Sequence, residues 1–373
     1  MKKILLPCLL IILFICQINT SASEGRFMHD PDINKNKIVF TYEGDLWIVN
    51  SSGGIAERIT TNPGDENSAK FSPDGLSITF YGNYDGSNNI YVMPSEGGEP
   101  KRITYIPGYA VPVCWTPDGK QIVFRSNYEN FIMRDPTLYF VDKEGSSPER
   151  LPIERGVRCS FSEDGTKMLY VRKGLEEYNW KKYKGGWYTD IWMYDFKQNT
   201  FTPMTDYVGK NAYPMWIGKY MYFVSDRGNG IANIFKQNIE TKVITQITKF
   251  DDIDVITPSN DKDQIVFLHD GYFNVLDTKT DQITKISVNV HSDKWEMRER
   301  TINPKDYIHF TSISNDGKTV VAEARGDVFS IPVDKGNTLN LSNTPGSREM
   351  YPQISPDGKQ VAFFSDKTGE YEL

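Results

Sequence analysis

Phe71-Ser72-Pro73-Asp74-Gly75 opens the most regular copy of a unit that this chain writes repeatedly. Pro73 presets φ for a turn, and Gly75 accommodates a positive φ. Ser77-Ile78-Thr79-Phe80-Tyr81 follows as an alternating strand, and Asp85-Gly86 turns the chain again. Ile90-Tyr91-Val92-Met93 is a third-strand candidate, Glu96-Gly97-Gly98 a further turn, and Lys101-Arg102-Ile103-Thr104 closes the unit. Four short strands joined by tight turns cannot bury their own faces and need neighbours of the same kind.

The chain supplies those neighbours. The opening turn recurs at Asp118-Gly119, Asp164-Gly165, Asp316-Gly317 and Asp357-Gly358, and is degenerate around Trp216-Ile217-Gly218 and Asn260-Asp261-Lys262. Third strands recur at Leu46-Trp47, Ile90-Tyr91, Leu138-Tyr139, Ile191-Trp192, Ile234-Phe235, Tyr272-Phe273 and Val328-Phe329. Closing strands end at Thr60, Thr104, Pro152, Thr205, Thr248, Ser287 and Ser342, with successive copies 39 to 55 residues apart. That period is the signature of four-stranded propeller blades. A sandwich is the competing all-β reading, but it does not demand the same turn chemistry at the same phase in every unit. The expected fold is an all-β propeller of six blades, followed by the truncated start of a second one. Phe71, Trp115 and Phe161, each three residues before the turn aspartate, are expected between neighbouring blades.

The predicted boundaries follow. Residues 1–23 carry Lys2 and Lys3, an apolar run to Cys16 and small residues to Ser23, the pattern of a secretory signal peptide. Cleavage is expected near Ala22 or Ser23, with export to the periplasm or beyond. An uncleaved anchor, the one membrane contact expected, is the alternative, although the run falls short of the roughly 20 residues of a span. Residues 24–289 form the six-bladed propeller and 290–306, rich in charge from His291 to Arg300, a connector. Residues 307–373 hold the first blades of the second propeller. The sequence stops on what aligns with the first residue of a third strand, so a fragment of a longer chain is expected.

Composition narrows the function. With 13% aromatic and 39% hydrophobic residues there is ample core, and 49 Gly and Pro suit many turns. Without Lys2 and Lys3 the balance is 40 basic to 49 acidic side chains, which disfavours nucleic acid as a partner. Cys114 and Cys159 remain after the leader. They stand one position apart in register, so opposite faces and two buried free thiols are expected.

No catalytic constellation is visible. His29, His269, His291 and His309 are scattered, and no nucleophile elbow, zinc helix or phosphate loop occurs. Ser72, Ser162 and Ser355 read as turn residues whose hydroxyls bond the local backbone. The acidic turn Asn83-Tyr84-Asp85-Gly86-Ser87-Asn88-Asn89 lacks the closing glutamate of a calcium loop. No cofactor or metal is expected. The distinctive feature is an insertion in the fourth blade, 173–190, basic and aromatic in an acidic chain. It reads either as a loop folding its aromatics onto the rim or as a recognition loop at one mouth of the channel. Trp180, Lys181, Lys182, Tyr183, Lys184 and Trp187 are its candidate contact residues.

The unit resembles the WD40-like repeats termed PD40, shared by TolB, prolyl-oligopeptidase-type enzymes and tricorn proteases. Three features resemble the tricorn family most. The first blade reads Met28-His29-Asp30-Pro31-Asp32-Ile33 and Gly44-Asp45-Leu46-Trp47. The inserted loop reads Trp180-Lys181-Lys182-Tyr183-Lys184-Gly185-Gly186 before Asp190-Ile191-Trp192, and six blades precede a second set. The resemblance covers residues 24–373. It implies a serine peptidase with two propellers, a PDZ-like module and a catalytic core, whose catalytic residues fall on no position here. It also implies peptides or unfolded polypeptide as partners, and a homo-oligomer for the full-length protein. The propeller would filter or channel peptides without catalysing their hydrolysis. An exported chain departs from the family's cytosolic assembly and agrees better with an exported bacterial homologue. A TolB-like interaction scaffold, or the propeller of a prolyl-oligopeptidase-type enzyme, are the alternatives.

Overall fold

The computed structural model describes residues 23–129, 136–173, 182–292 and 303–373. It forms two compact units, Met1–Asp293 and Lys294–Leu373. The first unit contains six antiparallel sheets built from consecutive strands, spanning 29–58, 66–102, 110–150, 158–203, 211–246 and 256–286. These are six propeller blades. Among the described residues there is no α-helix, and one 3-10 turn occupies Pro304–Tyr307.

Burial within a blade follows from its neighbours. Second strands such as Lys37–Tyr42, Gln121–Ser126 and Gln264–His269 are buried along nearly their whole length. Both of their faces are covered by adjoining blades, so they read as continuous apolar runs and not as alternations. Fourth strands such as Thr200–Pro203 and Gln282–Ile286 lie at the outer rim and are mostly exposed. The aromatics that precede the turns do pack between blades. Phe71 joins Val39 and Leu46 of the first blade, and Trp115 joins Ile90 and Ile103 of the second. Phe161 lies against Val113 and Leu138 of the third.

The opening turns adopt the expected geometry. Gly75, Gly119, Gly165, Gly317 and Gly358 all take φ between 68° and 80°. Ser72 donates to Asp74 Oδ1 at 2.5 Å and accepts from Ser77 N at 3.0 Å. Ser162 and Ser355 repeat the pattern.

A second repeated device sits at the closing strands. The hydroxyls of Thr60, Thr104, Thr205, Thr248 and Ser342 accept from the backbone N–H of Leu46, Ile90, Ile191, Ile234 and Val328, at 2.8 to 3.1 Å. Thr104 and Thr248 also donate to Asn89 and Asn233. Each hydroxyl thereby satisfies a buried donor at the start of the third strand. Thr104→Val keeps the shape and orphans the Ile90 N–H, so unfolding free energy should fall by about 1–3 kcal/mol in urea titration.

The ring closes at an edge. Strand Val288–Val290, just past the sixth blade, pairs in parallel with the outer strand Gly54–Arg58 of the first, and Ser23–Glu24 pairs antiparallel outside it. Val290, placed by the sequence in the connector, is thus the last residue of that strand, opposite Ala56. Ser23, placed at the end of the leader, stands opposite Val290. A shared cluster of Ile33, Phe40 and Trp47 with Val266, Phe273 and Ile286 fills the seam between the last blade and the first.

The register expectation for the two cysteines holds. Cys114, opposite Val123, faces the fourth blade, and Cys159, opposite Tyr170, faces the third, so they take opposite sides of their own sheets. Because the blades are neighbours, those two sides meet in one seam, where the sulfurs lie 3.5 Å apart.

The second unit holds one four-stranded blade, Ile308–Ile313, Thr319–Ala324, Asp327–Pro332 and Leu339–Asn340. Glu349–Ile354 and Val361–Ser365 then pair as the start of the next. Ile308, Phe310, Ile313, Tyr351 and Phe364 are exposed there, the apolar face that a single blade cannot cover by itself.

Candidate functional site

The first strands of all six blades run along the centre of the ring, and they are not regular. Register breaks interrupt His29–Asn34, Glu66–Phe71, Ala110–Trp115, Asn211–Ile217 and Ile256–Asn260. In four of them a non-glycine residue sits in the left-handed region: Asp30, Ser68, Tyr213 and Thr257, with φ between 45° and 54°. Such a backbone costs on the order of 1–3 kcal/mol at each position and persists where surrounding structure enforces it. Three of these residues precede a proline: Asp30-Pro31, Tyr213-Pro214 and Thr257-Pro258. That recurring X-Pro step is a sequence signal for three of the bulges, and it is absent at Ser68, which precedes Ala69.

The bulges shape an axial channel with two parts. At the side of the opening turns, first strands from every blade line a cavity of ≈ 720 Å³. It shares Lys70, Val113, Arg158 and Pro258 with a neck of only ≈ 20 Å³. Asp30, Ser68, Val111, Arg125, Arg158 and Thr257 line that neck. A space of that size holds about one water molecule. Because each blade is an antiparallel meander, the start of the first strand and the end of the second lie on the same face. The neck therefore sits at the face opposite the Asp-Gly turns.

Charge concentrates at the neck. Burial opposes ionisation of Asp30, yet contact with His29 and the positive charges of Lys70 and Arg158 hold its carboxyl below the usual value. Arg158 stacks on the Tyr213 ring at 4.5 Å. Deeper in the wall, Asp32 accepts from Lys70 Nζ at 3.3 Å and from Phe71 N at 2.8 Å. Ser259, whose hydroxyl bonds the same carboxylate, lies 3.1 Å from Lys70 Nζ. First strands of the sixth, first and second blades are thus tied by one buried polar network.

The inserted loop joins the second and third strands of the fourth blade, which puts it on the neck face. Trp180 and Lys181 lie outside the described residues. Lys182 and Lys184 are exposed, Tyr183 is half-buried, and Trp187 is 39% exposed. Lys182 runs over Gly230 of the fifth blade, where an added Cβ would come within 2.5 Å of its Cε. Lys173 Nζ caps the Tyr188 ring at 4.1 Å. Neither cavity counts the four described loop candidates among its lining residues.

Two of the four histidines have structural partners, while His291 and His309 are exposed. His29 contacts Asp30 at 3.3 Å, and His269 stacks on Phe250 with Asp252 at 3.4 Å. Asp85 of the acidic turn pairs with Arg102 at 2.9 Å. Among the described residues no three of His, Cys, Asp and Glu gather as a metal would require.

Comparison with known proteins agrees with this geometry. Residues 25–282 match the model of the family described as the tricorn protease N-terminal beta propeller domain. A tricorn protease homolog of Saccharolobus solfataricus is 26% identical over 358 residues, covering 93% of this chain and 32% of that protein. The tricorn protease of Thermoplasma acidophilum is 27% identical over 351 residues, covering 92% of this chain and 32% of that protein. A crystal structure of the tricorn protease superposes with a TM-score of 0.76 at 24% identity, over 91% of this chain and 33% of that one. The chain spans about a third of the length of the relatives it matches. Since the family model accounts for well over half of the sequence, the chain belongs to the tricorn protease N-terminal beta propeller family.

Proposed function

We propose that this chain is the non-catalytic amino-terminal part of an exported tricorn-like serine protease, and that its first propeller filters peptides moving to or from a catalytic core. The observation that carries this reading is the axial cavity narrowing to a charged neck. Arg125, Arg158 and Asp30 line its narrow end, and their side chains would have to swing aside for an extended polypeptide to pass. Selection by exclusion needs that kind of barrier. The excess of cations at the neck, with Lys182 and Lys184 exposed on the same face, favours segments that carry acidic groups. Export is the part of the proposal that rests on residues 1–23, and homo-oligomerisation the part that rests on the likeness to tricorn proteases.

Binding of a fluorescein-labelled unfolded polypeptide to the full chain tests the peptide-handling role. Trp187→Ala combined with Lys182→Ser and Lys184→Ser should weaken binding about tenfold while leaving the circular dichroism spectrum unchanged. Unaltered affinity rejects a role for the loop. In the same preparation a panel of fluorogenic peptides should stay intact. Turnover that one substitution within this chain abolishes would overturn the non-catalytic assignment. Export is checked by fractionating cells, with the mature chain expected outside the cytoplasm.

A further inference from the structure

Blades three and four belong to separate sheets, so no backbone ladder joins their first strands, Ala110–Trp115 and Arg158–Phe161. Apolar packing fills the seam instead: Val113, Leu138 and Phe140 from one side meet Met168, Tyr170 and Phe161 from the other. In the middle of this seam Cys114 Sγ and Cys159 Sγ approach to 3.5 Å as free thiols. Their one-position offset makes the meeting possible: Cys114, opposite Val123, faces the fourth blade, and Cys159, opposite Tyr170, faces the third.

We propose that Cys114 and Cys159 are an oxidisable pair, a modification site at which a disulfide staples the third blade to the fourth along the channel wall. The sulfurs must close from 3.5 Å to about 2.05 Å, a small movement for two side chains already in contact. Access is asymmetric in a useful way. Cys114 is half-buried and both residues line the ≈ 720 Å³ cavity, whereas Cys159 is only 4% exposed. Burial and the neighbouring Cys114 push the Cys159 thiol well up, so Cys114 is the group an external oxidant meets first.

The co-reactant is an external disulfide, such as glutathione disulfide or the active disulfide of an oxidoreductase. The Cys114 thiolate attacks one of its sulfurs and expels the first thiol, leaving a mixed disulfide on Cys114. The Cys159 thiolate then attacks the Cys114 sulfur and expels the second thiol. Two S–H bonds are lost and one S–S bond is gained; two electrons and two protons end on the two released thiols. The bond would act as a hoop segment between Trp115 and Phe161, limiting how far that side of the channel can widen. Only this consequence depends on the peptide-filter reading; the site does not.

The test uses the full 373-residue chain exposed to glutathione disulfide, quenched with acid and N-ethylmaleimide, then digested with trypsin. The folded chain should yield fragment 103–120 linked to fragment 159–167, with an intact mass lower by two hydrogens. Cys8 and Cys16 fall together in fragment 4–26 and do not confuse the assignment. The link should form about tenfold faster in the folded chain than in urea, because the fold holds the thiols together. Cys159→Ser should trap glutathione on Cys114, and Cys114→Ser should leave Cys159 unmodified. The urea midpoint of the oxidised wild-type chain should rise, and dithiothreitol should return it. Persistent alkylation of both thiols after oxidation of the folded chain overturns the proposal. So does a link that forms no faster folded than unfolded.

Discussion

Replacing Asp32 with alanine should lower the unfolding free energy of the amino-terminal ring by about 3–5 kcal/mol, the largest single-site effect expected in this protein. Asp32 is 5% exposed and accepts from Lys70 Nζ, Phe71 N and the Ser259 hydroxyl. Its removal leaves the ammonium of Lys70, whose side chain is only 11% exposed, without its carboxylate, and orphans the Phe71 N–H. Both penalties fall where the ring is joined, since the partners come from the sixth, first and second blades. Asp32→Asn keeps one acceptor oxygen and should cost roughly half as much. Lys70→Met in the Asp32→Ala background removes the stranded charge, so the double variant should be more stable than the two separate losses predict. Urea titrations of the four proteins measure the coupling. A loss below about 1 kcal/mol for Asp32→Ala would mean that apolar packing alone holds the seam.

How far the sequence could be read follows from which interactions are local. Turns announce themselves: Ser72-Pro73-Asp74-Gly75 carries its own hydrogen bonds and its own left-handed glycine, so the blade count was legible from residue types at fixed offsets. The closing threonines were visible at Thr60, Thr104, Thr205 and Thr248, but their partners lie 14 residues upstream, and nothing at Thr104 itself names Ile90 N as its donor. Bulges were harder. A bulged strand is marked in the sequence only where a proline follows the left-handed residue, as after Asp30, Tyr213 and Thr257, and at Ser68 even that mark is missing. The edge closure at Val288–Val290 pairs residues more than 230 positions apart in a parallel register with no turn to signal it. The channel is less legible still. The neck is assembled from side chains of different blades, Asp30, Arg125 and Arg158 among them, whose convergence exists only once the ring is closed. The inserted loop stood out by composition, and composition placed it at a mouth; topology puts it on the neck face, beside and not inside the two cavities.

A pH dependence should arise where the first blade meets the second. Glu66 is fully buried, and burial lifts its carboxyl from 4.5 to about 7. Thr60 Oγ1 donates to it at 2.9 Å, while Asp45, paired with Arg58 at 3.0 Å, adds a like charge nearby. The folded state holds this proton more tightly than the unfolded state does. Its stabilisation is complete below the unfolded value near 4.5 and is lost as pH rises through about 7. Between pH 5 and pH 8 the ring should therefore lose at most about 3 kcal/mol through this one group. Glu66→Gln mimics the protonated carboxyl, so the variant should match the wild type at pH 5 and exceed it at pH 8. Histidines titrate in the same window, but they are common to both proteins and cancel in the difference. Urea midpoints of the pair at pH 5 and pH 8 decide the matter, and parallel pH slopes for the two proteins would remove Glu66 as the source.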